Sequence, residues 1–187
     1  DTAGTVTYYS GSSGRTSTSL DMSSIGIKNS ATRNLISDTL YYLGRWDDSS
    51  VYSDQIYGYE RGTTVYSGMP TTWTGKIALP YPSDYGYAAD LGSCTQNLKN
   101  YNDSTCTSTN WMKNIITNNG NSWGWLLTPS SGYSFYAWTV VSSGVVNVIN
   151  NGACNAGGVE PVLYLGSEQG IESGTGTSSD PYRLSVS

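Results

Sequence analysis

Asp47-Asp48, Glu60, Asp84 and Asp90 are the side chains of this sequence best suited to acid–base work. Two carboxylates flanking a glycosidic bond suffice for its hydrolysis, one as acid and the other as base or nucleophile. Asp47, Asp48 and Asp54 would supply hard oxygen ligands to calcium, but the Asp-x-Asp-x-Asp-Gly order of a calcium loop is missing. The local text favours a plainer role, because adjacent aspartates in DDSS and Asp84 in PSDYG read as turns, where a short carboxylate bonds nearby backbone. The 187 residues contain no His, which removes the commonest general base, the Ser-His-Asp triad and most zinc sites together. A Gly-rich phosphate loop with its Lys and a strand-GxGxxG-helix unit are both lacking. The sequence thus predicts a non-enzyme with no catalytic residue, no metal and no cofactor. A secreted carboxylate-dependent hydrolase is the enzymatic alternative.

Three cysteines carry the remaining reactive chemistry. Cys94 and Cys106 flank TQNLKNYNDST, and a disulfide between them would close a loop worth roughly 3 kcal/mol by chain entropy. The opposing reading is two unrelated thiols in a reducing compartment. Cys154 is left over, with no His to activate it, and reads as an incidental small side chain.

Charge and composition point to an exterior setting. A net charge of -5 and nine scattered Lys and Arg argue against nucleic acid, whose binding requires clustered basic residues. No apolar run approaches the ~18 residues needed to cross a bilayer, so direct membrane insertion of this segment is not expected. Sixteen Tyr and six Trp against one Phe, with 22 Gly, suit half-wet surfaces and long loops, since Tyr and Trp join an apolar body to a polar tip. An extracellular or cell-surface location follows as an expectation, with room for a surface anchor upstream.

The elements that must position these residues form an α+β layout. Residues 1–29 read as an N-terminal strand and loop segment, the strand being followed by the flexible SGSSGR. Residues 30–187 read as a single domain. Ser30 is placed to cap a helix from Ala31 to about Thr39, running into a strand from Tyr41 to Trp46. Asp47 to Asp90 is broken by turns and by Pro70, Pro80 and Pro82, with KIALPYP its most strand-like piece. A second helix spans Ser108 to Ile116, capped by Ser108 or Thr109, with an apolar stripe of Trp111, Met112, Ile115 and Ile116 and a stop at Asn118-Asn119-Gly120. Strands follow at Ser122–Leu127, Trp138–Val141 and Val145–Ile149, the last two joined by SSG, then a core strand at Val159–Leu165. The tail carries the turn GTGTSSDP and a terminal strand at Tyr182–Leu184.

One stretch stands apart. From Asn114 through Val159, 46 positions pass without a charged residue. The overlapping stretch from Trp123 to Leu165 has the apolar blocks WGWLLTP and GGVEPVLYL at its ends, read as fixed scaffold, with AWTVVSSGVV between them. In that order, and with YYLGRW, TTWTGKIALPYPSDYGYA and SGTGTSSDPYRL, these segments resemble the variable proteins of diversity-generating retroelements, over roughly Ser30 to Leu184. The resemblance is to a bacterial subgroup with pilin-like N-terminal segments. It implies a C-type lectin fold of the formylglycine-generating-enzyme type, with two short helices, antiparallel strands and long loops. It also implies a variable region at about 130–157, written by error-prone copying at the adenines of AAY codons. Such codons reach Asn, Tyr, Ser, Phe, Val, Ile, Ala, Gly, Cys and every other residue with a codon ending in a pyrimidine, Thr among them, but never Trp, Lys, Glu, Gln or Met. Between Ser130 and Gly158 only Trp138 falls outside the reachable set. The chain departs from calcium-dependent lectins, because Glu160-Pro161 is followed by Val162 and no Trp-Asn-Asp occurs.

Strand parity then sorts the stretch. Alternation puts Trp138 with Val140 on the core face, and Val146 and Val148 with them. Thr139, Val141, Val145, Asn147 and Ile149 face outward. The loop residues Tyr133, Ser134, Phe135 and Tyr136, and Asn150, Asn151, Ala153, Cys154 and Asn155, complete the expected ligand-binding surface. Tyr supplies contact area at low entropic cost, and Ser, Gly and Asn supply adaptable hydrogen bonds. The expected partner is a protein or glycan on another cell, a phage or a host surface. A non-diversified carbohydrate-binding or adhesion module, marked by coplanar exposed rings, is the alternative.

Overall fold

The computed structural model describes residues 3–9, 15–21, 30–117, 122–147, 152, 155, 157–177 and 179–185. The fold is α+β, built of short helices and small antiparallel sheets. Strands β1 (Ala3–Tyr9) and β2 (Arg15–Asp21) form an antiparallel ribbon, Ala3 opposite Asp21 and Tyr9 opposite Arg15. The sequence placed one strand here, and the second escaped it because RTSTSLD lacks a run of apolar residues.

The first helix, α1 (Ser30–Asn34), lasts barely more than a turn. The expected extension to Thr39 fails because residues 35–37 bond another segment: Ser37 N–H donates to Tyr164 O at 2.9 Å and Gly166 N–H to Leu35 O at 3.1 Å. Strand β3 (Thr39–Tyr42) starts earlier and ends sooner than Tyr41–Trp46, pairing with β4 (Thr72–Gly75). Gly44 does not end a helix. It lies where the chain passes α2 (Ser53–Glu60), its N–H bonded to Glu60 O at 2.9 Å, and any Cβ there would strike the backbone of Tyr59 and Glu60.

Helix α2 and helix α3 (Pro82–Tyr87) occupy the region expected to be turns. Their starts are chemically marked. Gln55 Oε1 accepts from Tyr52 N–H and Asp84 Oδ2 from Tyr81 N–H, each at 2.9 Å, the return half of a capping box. Pro82 opens α3 with its φ already helical. β5 (Ile77–Ala78) pairs with β9 (Val162–Leu163). The expected core strand at Val159–Leu165 is thus only two residues long and peripheral, with Val159 65% exposed.

A disulfide joins Cys94 and Cys106, as the spacing suggested. The segment it closes is no simple surface loop. A 3-10 turn at Leu98–Asn100 sends Leu98 and Tyr101 into the core beside Ile56, Tyr85, Met112 and Trp138. After α4 (Ser104–Thr107), helix α5 (Trp111–Thr117) buries Met112 and Ile116 but leaves Trp111 and Ile115 exposed, so half the expected stripe is core. Its cap is Asn110, not Ser108 or Thr109. Asn110 Oδ1 accepts from Met112 N–H and Lys113 N–H at 3.0 and 3.2 Å, while its amide donates to Tyr85 O. The expected stop at Asn118–Gly120 lies outside the described residues.

Strands β6 (Trp123–Pro129), β7 (Ala137–Val141) and β8 (Val146–Asn147) form a three-stranded sheet over this core, in that order. The tail folds as β10 (Ile171–Ser173) against β11 (Arg183–Leu184), around a turn in which Gly176 N–H donates to Asp180 O at 3.0 Å.

Candidate functional site

The β6–β7–β8 sheet is the frame of the candidate surface. Trp125 and Asn147 lie opposite Thr139 on either side, and Gly124 and Val146 lie opposite Val140. Residues directly opposite in an antiparallel pair point to the same face. Trp138, Val140 and Val146 are fully buried in the core, the side that parity assigned to them. Trp138 Nε1–H donates to Trp46 O at 2.8 Å, giving the indole's polar edge a partner.

The opposite face is less open than the sequence suggested. Val141, Val145 and Asn147 are half-buried, and Thr139 is 1% exposed, so Thr139 cannot serve as an outward contact. Alternation places Thr139 correctly away from the core, but β7 is the central strand and its second face is also covered. Trp123 and Trp125 share that face by register and pack edge to face, centroids 4.7 Å apart. Gly157 presses against the Trp123 ring so closely that a Cβ would overlap it. The two tryptophans, read from sequence as scaffold, therefore line this side of the sheet. Only strand register, which sequence does not print, reveals them.

The exposed part of the surface is the loop before β7. Tyr133 is 55% and Phe135 45% exposed, Ser134 is exposed, and Tyr136 is half-buried beneath them. The rings form one cluster: Tyr133–Tyr136 centroids lie 5.0 Å apart, Phe135–Tyr136 4.5 Å and Tyr133–Phe135 6.1 Å, with interplanar angles of 57 to 63°. Such tilted contacts set the positive ring edge against a negative face. Ser130 N–H donates to Tyr136 O at 2.9 Å, closing the base of the loop.

A second segment props this loop. Arg45 Nη1 donates to Ser130 O at 3.1 Å, and Ser131 Oγ donates to Asp47 Oδ1 at 2.8 Å. With the Trp138–Trp46 bond, residues 45–47 thus hold both the loop base and the strand it feeds. Asp47, a candidate acid or calcium ligand by sequence, is a support. On the far side Tyr136 bridges to Gly152, and Asn155, exposed, donates its N–H to Gly152 O at 2.9 Å. Val148, Ile149, Asn150, Asn151, Ala153 and Cys154 lie outside the described residues.

The other acids are also tied to local structure. Glu60 has no exposed surface. Its carboxylate accepts from Ser83 N–H at 2.9 Å, Ser83 Oγ–H at 2.5 Å and Arg61 Nη1–H at 3.1 Å. Burial raises its pKa to about 7 despite those donors. Burial likewise raises Asp84, whose Oδ2 caps α3. Asp48 accepts from Ser50 N–H, the local turn role expected of it, and Asp90, a candidate acid by sequence, accepts from Gly92 N–H and Ser93 Oγ–H. Among the described residues, no three His, Cys, Asp or Glu side chains converge as a metal site, and no helix is long and apolar enough to cross a membrane.

No protein-family model, curated protein or solved structure matches the chain.

Proposed function

We propose that this chain is a ligand-binding surface protein whose C-terminal face is diversified at adenine-containing codons, carried on a C-type lectin fold. The observation that carries the reading is a contrast within the charge-free stretch. Tyr133, Ser134 and Phe135 stand out on a propped loop, while Trp138, the one residue between Ser130 and Gly158 that mutated AAY codons cannot reach, is wholly buried in the frame. Replaceable residues on a loop and an unreplaceable one in the core are what diversification without loss of fold requires. The loop offers aromatic area with neighbouring hydroxyls, the chemistry of an antibody loop. The disulfide suits an oxidising exterior, and an extracellular or cell-surface location belongs to the same proposal. The partner is a protein or glycan on another surface, bound without a catalytic step, a metal or a cofactor. Rings tilted by 57 to 63° do not make the flat platform that a carbohydrate module uses, which favours a shaped protein epitope.

The gene's neighbourhood tests this. A reverse-transcriptase gene and an imperfect repeat are expected nearby, the repeat differing at adenines from the codons for Tyr133 to Asn155. A repeat matching those codons at every adenine, or no repeat at all, would refute diversification.

A further inference from the structure

A cleft of about 390 Å³ opens beside the N-terminal turn of α2, apart from every residue of the proposed variable face. This lies within the usual range for small-ligand sites, roughly 300–1,000 Å³. Among its lining residues Ser53, Cys94 and Tyr101 are buried. Their polar atoms are satisfied internally: Tyr101 O–H donates to Gly86 O at 2.9 Å and lies 3.1 Å from Ser53 Oγ. What remains available is on the rim, where Tyr52 and Tyr87, each about half exposed, stand with Leu91 and the Asp54 carboxylate.

The charge on this rim is one-sided. Asp54 is the one charged side chain lining the cleft, and among the described residues it has no ion-pair partner. Arg61 does not neutralise it. That guanidinium is paired with Glu60 at 3.1 Å and lies 3.5 Å over the Tyr57 ring, which itself packs edge-on to Tyr87. Burial first, then the negative field of Asp54, raises the Tyr87 hydroxyl pKa, with Arg61 opposing. Asp54 also favours the helix start, where negative charge is stabilising. That role calls for a carboxylate but not for two exposed tyrosines around a cavity.

We propose that this cleft binds an organic ammonium group, held over the faces of Tyr52 and Tyr87 and neutralised by Asp54. Aromatic faces attract cations through the ring quadrupole, and do so most strongly when the cation sheds water. An anion is repelled here. A neutral sugar could hydrogen-bond Asp54 but would leave its charge uncompensated.

The test uses the whole chain carrying 13C-labelled tyrosine, followed by NMR. Choline, its neutral isostere 3,3-dimethylbutan-1-ol, N-acetyl-lysine methylamide and a methyl glucoside are titrated separately. Choline or the lysine amide is expected to shift the Tyr52 and Tyr87 ring signals saturably, at least roughly tenfold more tightly than the isostere. The tighter of the two shows whether the ammonium comes from a small molecule or a peptide side chain. Asp54→Asn should weaken that binding roughly tenfold and leave the isostere unchanged. Equal binding of choline and isostere, preference for the glucoside, or no saturable shift overturns the proposal, and these comparisons need only the unaltered protein. The variable-face reading is untouched by any of these outcomes.

Discussion

Glu60 shows how a single residue can hold a charge problem that the fold must solve. Its carboxyl group is fully enclosed, and burial outweighs the donors from Ser83 and Arg61 to raise its pKa from 4.5 to about 7. A folded-state pKa above the unfolded value means the folded chain holds its proton longer. The stabilising contribution is complete below about pH 4.5, declines as pH rises toward 7, and is lost above it. At 1.36 kcal/mol per pKa unit the whole change is on the order of 3 kcal/mol. Urea unfolding should therefore show stability falling across that window, and Glu60→Gln should flatten the fall. An unchanged slope in the variant would remove Glu60 as its source. Thr139 teaches a different lesson at this scale. Its parity was readable from the text, yet its exposure was not, because burial depends on what covers the second face of β7.

At the scale of elements, the hairpin joining β7 to β8 depends on one glycine. Gly144 has φ of 98°, its N–H closes the turn onto Val141 O at 2.8 Å, and Tyr85 O–H donates to its carbonyl at 3.2 Å. A left-handed conformation costs a side-chain-bearing residue roughly 1–2 kcal/mol. A Cβ here would also sit 2.9 Å from Tyr101 O. Gly144→Ala should thus destabilise by about 2 kcal/mol or more in chemical denaturation, whereas Ser143→Ala, on the exposed part of the same turn, should stay within about 0.5 kcal/mol. Equal effects would show that the turn does not set the hairpin. Helices α2 and α3 carried their marks in the text, Gln55 three residues after Tyr52 and Pro82 ahead of Asp84. Those marks were outvoted by Gly, Asp and Ser, which also write turns. Packing between the two helices decides the matter, since a helix of six to eight residues is not stable alone.

Across the whole molecule, the disulfide and the sheet frame sit in the core while residues 133–135 stand in solvent. Replacing Tyr133, Ser134 and Phe135 together by Ser-Gly-Ser should change unfolding free energy by no more than about 2 kcal/mol, because both replaced rings are already about half in solvent. Trp138→Ala should cost roughly 3–5 kcal/mol, since it empties a site with no exposed surface and leaves Trp46 O without its donor. Comparable losses in the two variants would mean that the loop is structural, and the division into frame and replaceable face would fall.

The sequence by itself determined the α+β class and marked out the pairing of Cys94 with Cys106 and the inward set of Trp138, Val140 and Val146, which the fold then chose over their alternatives. Each follows from local spacing or strict alternation, which a linear text preserves. Tertiary structure alone decided that Trp123 and Trp125 line the far face, that Asp47 props the aromatic loop, and that Leu98 and Tyr101 belong to the core. Those facts depend on segments tens of residues apart meeting in one register. Burial is a property of the neighbours the chain folds back to supply, and no window of sequence contains them.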